Sequence, residues 1–321
     1  MTDGLVHPQA LRGPWYRWWR PLVGLGVVVG IGVILVAAIV VVAVAAVVLE
    51  LAGVVGPISL DTIDEAWFAS PVGMLVNNLS LALGIPVALL ATWAQRARPG
   101  LVASVTGRLR WRLVLGSAGL GAAAIVLLGF GVPLAIDAAA PGPLEGWGLD
   151  PDPAWLGLAA VVLLTTPLQA AGEEYFFRGW LSQTVGSWCR SRWLAVAVPL
   201  VVSATLFALA HGTQNGWLFA DRLIFGVVAS LLVWRTGGLE CAIGLHVVNN
   251  LLAFGWAIAS GTVDDSLLIT EVSALDGAVS IGSTVVAAVV VLAWARRRRP
   301  QTEVVPPRAV ASAGGPAEVV G

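Results

Sequence analysis

Hydrophobic positions in this chain come in long runs, not in the period-2 or short period-3.6 patterns of a soluble domain. Apolar stretches fall at Pro21–Leu49, Ser70–Ala94, Leu113–Ile136, Trp155–Ala171, Trp193–Ala210, Leu218–Trp234, Leu239–Ala259 and Gly277–Trp294. Each has roughly 17–29 residues, enough for a helix to cross a hydrocarbon core about 30 Å thick. The expected fold is an all-α, polytopic transmembrane helical bundle of about eight helices. The polar stretches between the runs alternate in sign. Arg12, Arg17 and Arg20 precede the first run, and Arg96, Arg98, Arg108, Arg110 and Arg112 lie between the second and third. Arg190 and Arg192 follow the fourth, Arg235 the sixth, and Arg296–Arg299 the last. The other loops carry acids: Asp61, Asp64 and Glu65, then Asp137, Glu145, Asp150 and Asp152, then Asp264, Asp265, Glu271 and Asp276. The positive-inside rule places both termini in the cytoplasm. Trp15, Trp18, Trp19, Trp67, Trp93, Trp155, Trp234 and Trp294 lie near span ends, as an aromatic belt does.

Composition agrees with this pattern. The 321 residues are 58% hydrophobic and 12% charged, with a mean hydropathy of +0.86, which excludes an ordinary soluble domain. A net charge of -1 carries no signal for a polyanionic partner, and no nucleic acid is expected. All 18 basic residues are Arg, read as base-composition bias. Cys189 and Cys241 form no CxxC motif and suggest neither a disulfide framework nor a zinc knuckle. The first run is too long for a signal peptide and lacks an A-x-A site, so it reads as a helix. Gly26 and Gly30 give it a small-residue face for close packing against a neighbour.

The domain organisation expected is a cytoplasmic N-terminal segment (1–20), three helices with their loops (21–154), a four-helix core (155–260), an outer loop with the last helix (261–299) and a flexible cytoplasmic tail (300–321). The link Gln95–Arg112 reads as a short interfacial helix with Leu109 and Trp111 towards lipid. The location expected is a bacterial-type plasma membrane, with the lipid bilayer itself as one partner.

Three polar clusters interrupt the apolar runs. The first is Glu173, Glu174 and Arg178. An intramembrane acid costs on the order of 3 kcal/mol even on insertion scales, so two in succession call for a use. Glu174 and Arg178, four apart, share a helical face and can pair. Glu173 points about 100° away and lacks that partner, which suits a general base. The second is Phe207 with His211, again four apart, where the ring can hold the imidazole or exclude water. The third is His246 with Asn250, whose donors one turn apart suit a developing oxyanion. Each cluster also has a bland reading: a helix-pinning ion pair, an interfacial histidine, interhelical hydrogen bonding. If the fourth and fifth runs form a hairpin turning near Arg192, Glu173 and His211 are level. His246, counted from the turn at Gly237–Gly238, falls roughly 15 Å away in height. Asp221 with Arg222 has two readings, lining of the substrate cavity or a local pair near the start of the sixth run, of which the local pair is preferred; Glu240 reads as interfacial.

Together the clusters resemble the CPBP family, which comprises CAAX prenyl protease 2 (Rce1-like) and the bacteriocin-processing or immunity intramembrane proteases of the former Abi family. The matching motifs are Glu173-Glu174-Tyr-Phe-Phe-Arg178, Phe207-Ala-Leu-Ala-His211 and His246-Val-Val-Asn249-Asn250, with Phe177-Arg178-Gly179 and Arg235-Thr236-Gly237-Gly238 between them. The similarity covers roughly Trp155–Trp256. It implies an endopeptidase acting on membrane-associated peptides or proteins. By that resemblance Glu173 and His211 activate water, His246 and Asn250 stabilise the oxyanion, Glu174 and Arg178 support the site, and Phe207 packs against its histidine. A metal-independent glutamate-type site is favoured, with no cofactor. The alternative is Zn²⁺ held by Glu173, His211 and His246, although the His-Glu-x-x-His spacing is missing. Two rivals come from other classes: a non-catalytic scaffold or immunity-type binding protein, and a proton-coupled transporter. The full residue set argues against the first. The lack of an inverted repeat argues against the second.

Overall fold

The computed structural model describes residues 4–52, 65–140, 147–151, 153–267 and 269–304. Of the acidic loop residues, Asp61, Asp64, Glu145 and Asp152 lie outside them. Among the described residues eight helices are long and apolar enough to cross a membrane: α1 (Arg20–Leu51), α2 (Pro71–Ala94), α3 (Trp111–Ala139), α4 (Trp155–Trp188), α5 (Arg192–Leu209), α6 (Gly216–Thr236), α7 (Glu240–Ser260) and α8 (Ala274–Arg297). They follow the predicted runs in order, and the chain is an all-α polytopic bundle.

The largest difference is in α4. The apolar run ends at Ala171, but the helix continues to Trp188, winding as a π-helix over Tyr175–Leu181. Charges end a hydropathy run without ending a helix when they are paired, and Glu174 accepts from Arg178 Nη1 at 3.1 Å inside this stretch.

Local signals set the other ends. The Ser70 hydroxyl accepts from the Gly73 amide at the start of α2. Asn215 Oδ1 accepts from Leu218 N at the start of α6. Gly237, at φ +73°, ends α6 in the left-handed conformation that favours glycine.

Helix pairing builds the bundle as α2 on α4, α4 on α7, α7 on α3, α3 on α8, α8 on α6 and α6 on α5. The α2–α4 crossing is close. A Cβ on Gly84 would lie 2.4 Å from the Gly172 carbonyl oxygen, and one on Gly172 2.3 Å from that of Leu81. Helix α1 stands at the periphery, touching α2 and the end of α4. Its close approach is at Gly24, against the Gln95 amide. Nothing lies near Gly26 or Gly30, so the expected small-residue face of α1 packs on nothing among the described residues.

The arginine-rich end carries a cap. Leu5–Val6 (β1) pairs antiparallel with Glu303–Val304 (β2), and Glu303 bonds Arg192 at 2.6 Å. Glu303–Val304 fall in the stretch expected as flexible tail, whose remainder from 305 lies outside the described residues. A 3₁₀ turn, His7–Arg12, packs against the end of α4. The link before α3 differs from expectation. Gly100–Ala103 forms a short helix with Val102 and Ala103 buried, and Leu109 packs on the core, leaving only Trp111 exposed as expected. Glu240 is not interfacial but fully buried, held by Arg110 through Nε and Nη2, each at 2.7 Å. A bidentate guanidinium is the geometry that makes such burial affordable.

Candidate active site

Glu174 and Arg178 are completely buried on α4. One carboxylate oxygen, Glu174 Oε1, accepts from both Arg178 Nη1 at 3.1 Å and His246 Nδ1 at 2.8 Å. Arg178 Nε and Nη2 have no hydrogen-bond partner among the described residues. The guanidinium instead lies 4.1 Å from the Phe207 ring centroid, a cation–π contact whose value rises with desolvation. Gly226 leaves room for it, since a Cβ there would sit 3.1 Å from Arg178 Nη2.

Glu173, one residue earlier, faces the other way. The sequence leaves it without a partner, yet its Oε2 lies 3.3 Å from His246 Nε2. The imidazole is therefore bracketed by two carboxylates, one on each ring nitrogen.

Phe207 and His211 come from α5 and the turn after it. Their rings meet edge-on at 4.8 Å, so the i,i+4 reading holds. His211 Nδ1 lies 2.8 Å from the Phe207 carbonyl oxygen. That oxygen can only accept, so Nδ1 carries the hydrogen and Nε2 is left as an acceptor.

Asn250 and His246 lie one turn apart on α7. Asn250 Nδ2 donates to Gln169 Oε1 at 3.0 Å, and Asn249 Nδ2 donates to Asn250 Oδ1 at 3.3 Å. Gln169 is buried one turn before Glu173 on α4. It thus links the amide on α7 to the acid-bearing face of α4.

Glu173, His211, His246 and Asn250 line one cavity of about 740 Å³, and Glu174 and Arg178 stand behind its wall. The cavity also takes in α1 at Val28 and Leu35 and α2 at Asn77 and Gly84, and it reaches Ser266 and Leu267 at the acidic end. The predicted 15 Å gap to His246 is absent. The Arg192 turn is a poor origin for counting, because α4 runs on past the level of the Gly237–Gly238 turn. A Cβ on Gly179 would lie 3.5 Å from Leu239 Cδ1, so those positions are level. From there six residues back to Glu173 and seven forward to His246 give about 9 and 10.5 Å of rise.

Asp221 and Arg222 also differ from expectation. Both line the cavity, and Asp221 bonds Ser280 at 2.8 Å instead of its neighbour. Two residues escaped the sequence reading. Phe225 on α6 meets the His246 ring at 4.7 Å, and as an apolar residue among apolar residues it gives no signal. Gln169 does give one, an amide four residues before Glu173 in an apolar helix. No three His, Cys, Asp or Glu side chains among the described residues are grouped to hold a metal ion. Of the set Glu173, His211 and His246, both His246 nitrogens face carboxylates, while His211 turns Nδ1 to a carbonyl and leaves Nε2 open.

Known proteins share this stretch. Residues 154–252 match the family model described as type II CAAX prenyl endopeptidase Rce1-like. The chain is 27% identical over 208 residues to the uncharacterized protein YyaK of Bacillus subtilis (strain 168), covering 62% of this chain and 66%, just under two thirds, of that relative. No solved structure matches the chain. The chain thus matches the Rce1-like family over residues 154–252, the run of helices that holds every one of the motif residues.

Proposed function

We propose that this protein is an intramembrane endopeptidase that hydrolyses peptide bonds of membrane-associated peptides or proteins with Glu173 and His211 as the water-activating pair. The observation that carries this reading is the shared cavity: a carboxylate, two imidazoles and an amide, from two helices and the turn after a third, face one space inside an apolar bundle. The matched family is one of endopeptidases, which supports the reaction class.

In this reading a water sits between the Glu173 carboxylate and His211 Nε2. Glu173 takes its proton as the water oxygen attacks the scissile carbonyl carbon. With both His246 nitrogens protonated, Nδ1–H stays on Glu174. Nε2–H, released as Glu173 is neutralised, turns to the oxyanion. The second hydrogen of Asn250 Nδ2, not used by Gln169, supplies another donor. Collapse of the tetrahedral intermediate returns the proton from Glu173 to the leaving amine. No covalent intermediate and no metal are required. The arginine-rich end faces the cytoplasm in this reading, and the membrane is a bacterial plasma membrane.

The test is a comparison of membrane peptides from cells making the wild type, Glu173→Gln or His211→Ala at equal levels. Loss of a general base lowers turnover by about 10²–10⁴-fold, so uncut precursors accumulate in both variants. Identical peptide patterns in all three strains reject the reading.

A further inference from the structure

Arg222 is a cavity-lining cation that the proposed reaction does not use. It lies on α6 and faces the space shared by Glu173 and His211. Arg110, Arg178 and Arg192 each pair with a carboxylate, but Arg222 forms no such pair within 4.0 Å among the described residues. Its neighbour Asp221 accepts from Ser280 on α8. The guanidinium is half-buried and held at one point, where Nη1 donates to Gln214 Oε1 at 2.8 Å. Gln214 in turn donates through Nε2 to the Ala208 carbonyl at 2.6 Å, at the end of α5. The arginine is therefore fixed against the loop that carries His211, with most of its five N–H donors unused by protein.

Its position relative to the reacting groups follows from the helix. Phe225 packs on His246, and Arg222 is one turn away, about 4.5 Å of rise. An extended peptide spans that distance in about one to two residues. A guanidinium so placed, half-buried beside the Asp221 charge but with no carboxylate oxygen within 4.0 Å among the described residues, matches a further carboxylate in charge and in planar shape.

We propose that Arg222 is a specificity-determining residue that binds a carboxylate of the substrate close to the bond that is cut. The carboxylate has two chemical sources, the free C-terminus of a peptide or an acidic side chain. The inference rests on the protease reading, and the Arg222 contact selects which bond meets Glu173.

The experiment uses the full chain in liposomes and a pool of apolar synthetic peptides. Each sequence is made as a free C-terminal acid, as a C-terminal amide, and as an amide with one internal Glu; cleavage is followed by mass spectrometry against a Glu173→Gln background. The wild type is expected to cut the acid or the Glu form about tenfold or more faster than the plain amide, the effect of a charge-assisted hydrogen bond. Which form is preferred identifies the source. Arg222→Gln brings the ratio to about one, and Arg222→Lys keeps part of it. A monodisperse Arg222→Gln protein that retains the full preference overturns the proposal, and the Lys variant decides if Gln fails to fold. Equal rates on all three forms by the wild type overturn it while leaving the protease reading intact. Cleavage no higher than the Glu173→Gln background counts against the protease reading itself, and the subsite falls with it.

Discussion

Two adjacent glutamates have different surroundings. Glu174 is sealed with Arg178, and removing its charge leaves a guanidinium buried among Phe177, Phe207 and Phe225. Breaking one side of a buried pair costs about 3–5 kcal/mol. Glu174→Gln is therefore expected to lower the thermal unfolding temperature in detergent well below that of the wild type. Glu173→Gln, whose side chain is 11% exposed to the cavity and whose amide can still bond the imidazole, should melt near the wild type. Equal melting of the two variants contradicts this division. The motif residues were legible because buried charge is costly and conspicuous, and four-residue spacing reports a shared face directly. Gln169 and Phe225 were not, because a neutral amide and a phenyl ring cost little wherever they fall. The second contact of His246, with Glu173, was hidden for another reason: pairing across helices depends on their heights.

At the scale of elements, the eight spans were legible from length and hydropathy, but not how far each extends. The end of α4 shows why. Hydropathy measures transfer to lipid, and Gln183, Thr184 and Ser187 are buried against protein instead. Helix contacts were equally hard to read. Glycine spacing points to Gly26 and Gly30 on α1, whereas the backbones touch at Gly84 and Gly172, next to Glu173. Gly172→Ala forces α2 and α4 apart, and overpacking of this kind costs about 1–3 kcal/mol. It should lower both the melting temperature and, by shifting Glu173, the cleavage of membrane substrates. Gly26→Ala and Gly30→Ala meet no neighbour and should match or slightly exceed the wild type, as alanine favours helix. Calorimetry of the three variants separates the cases; destabilisation by Gly30→Ala alone would refute this assignment.

At the scale of the whole molecule, the cap ties the bundle together at the arginine-rich end. His7 is buried there, its Nε2 against the Val102 carbonyl at 2.9 Å and the Gln183 amide at 3.1 Å, and its Nδ1 without a partner among the described residues. Burial pushes its pKa down to about 4, against about 6.5 when exposed. The docked cap binds fewer protons than the released one. Its docking is therefore full above pH 6.5 and weakens as pH falls from there towards about 4, by up to about 3 kcal/mol. The protection factors of residues 5–12, taken relative to intrinsic exchange at each pH, should fall between pH 6.5 and 4.5 in the wild type and stay flat in His7→Gln. Protection independent of pH in the wild type would rule this out.

The pairing of Leu5–Val6 with Glu303–Val304 also bears on how the molecule is made. The first strand emerges from the ribosome long before its partner and must wait, unzipped, through the insertion of every helix. Closing that short ladder is among the last acts of assembly. A chain stalled before its final crossing keeps its N-terminal edge open.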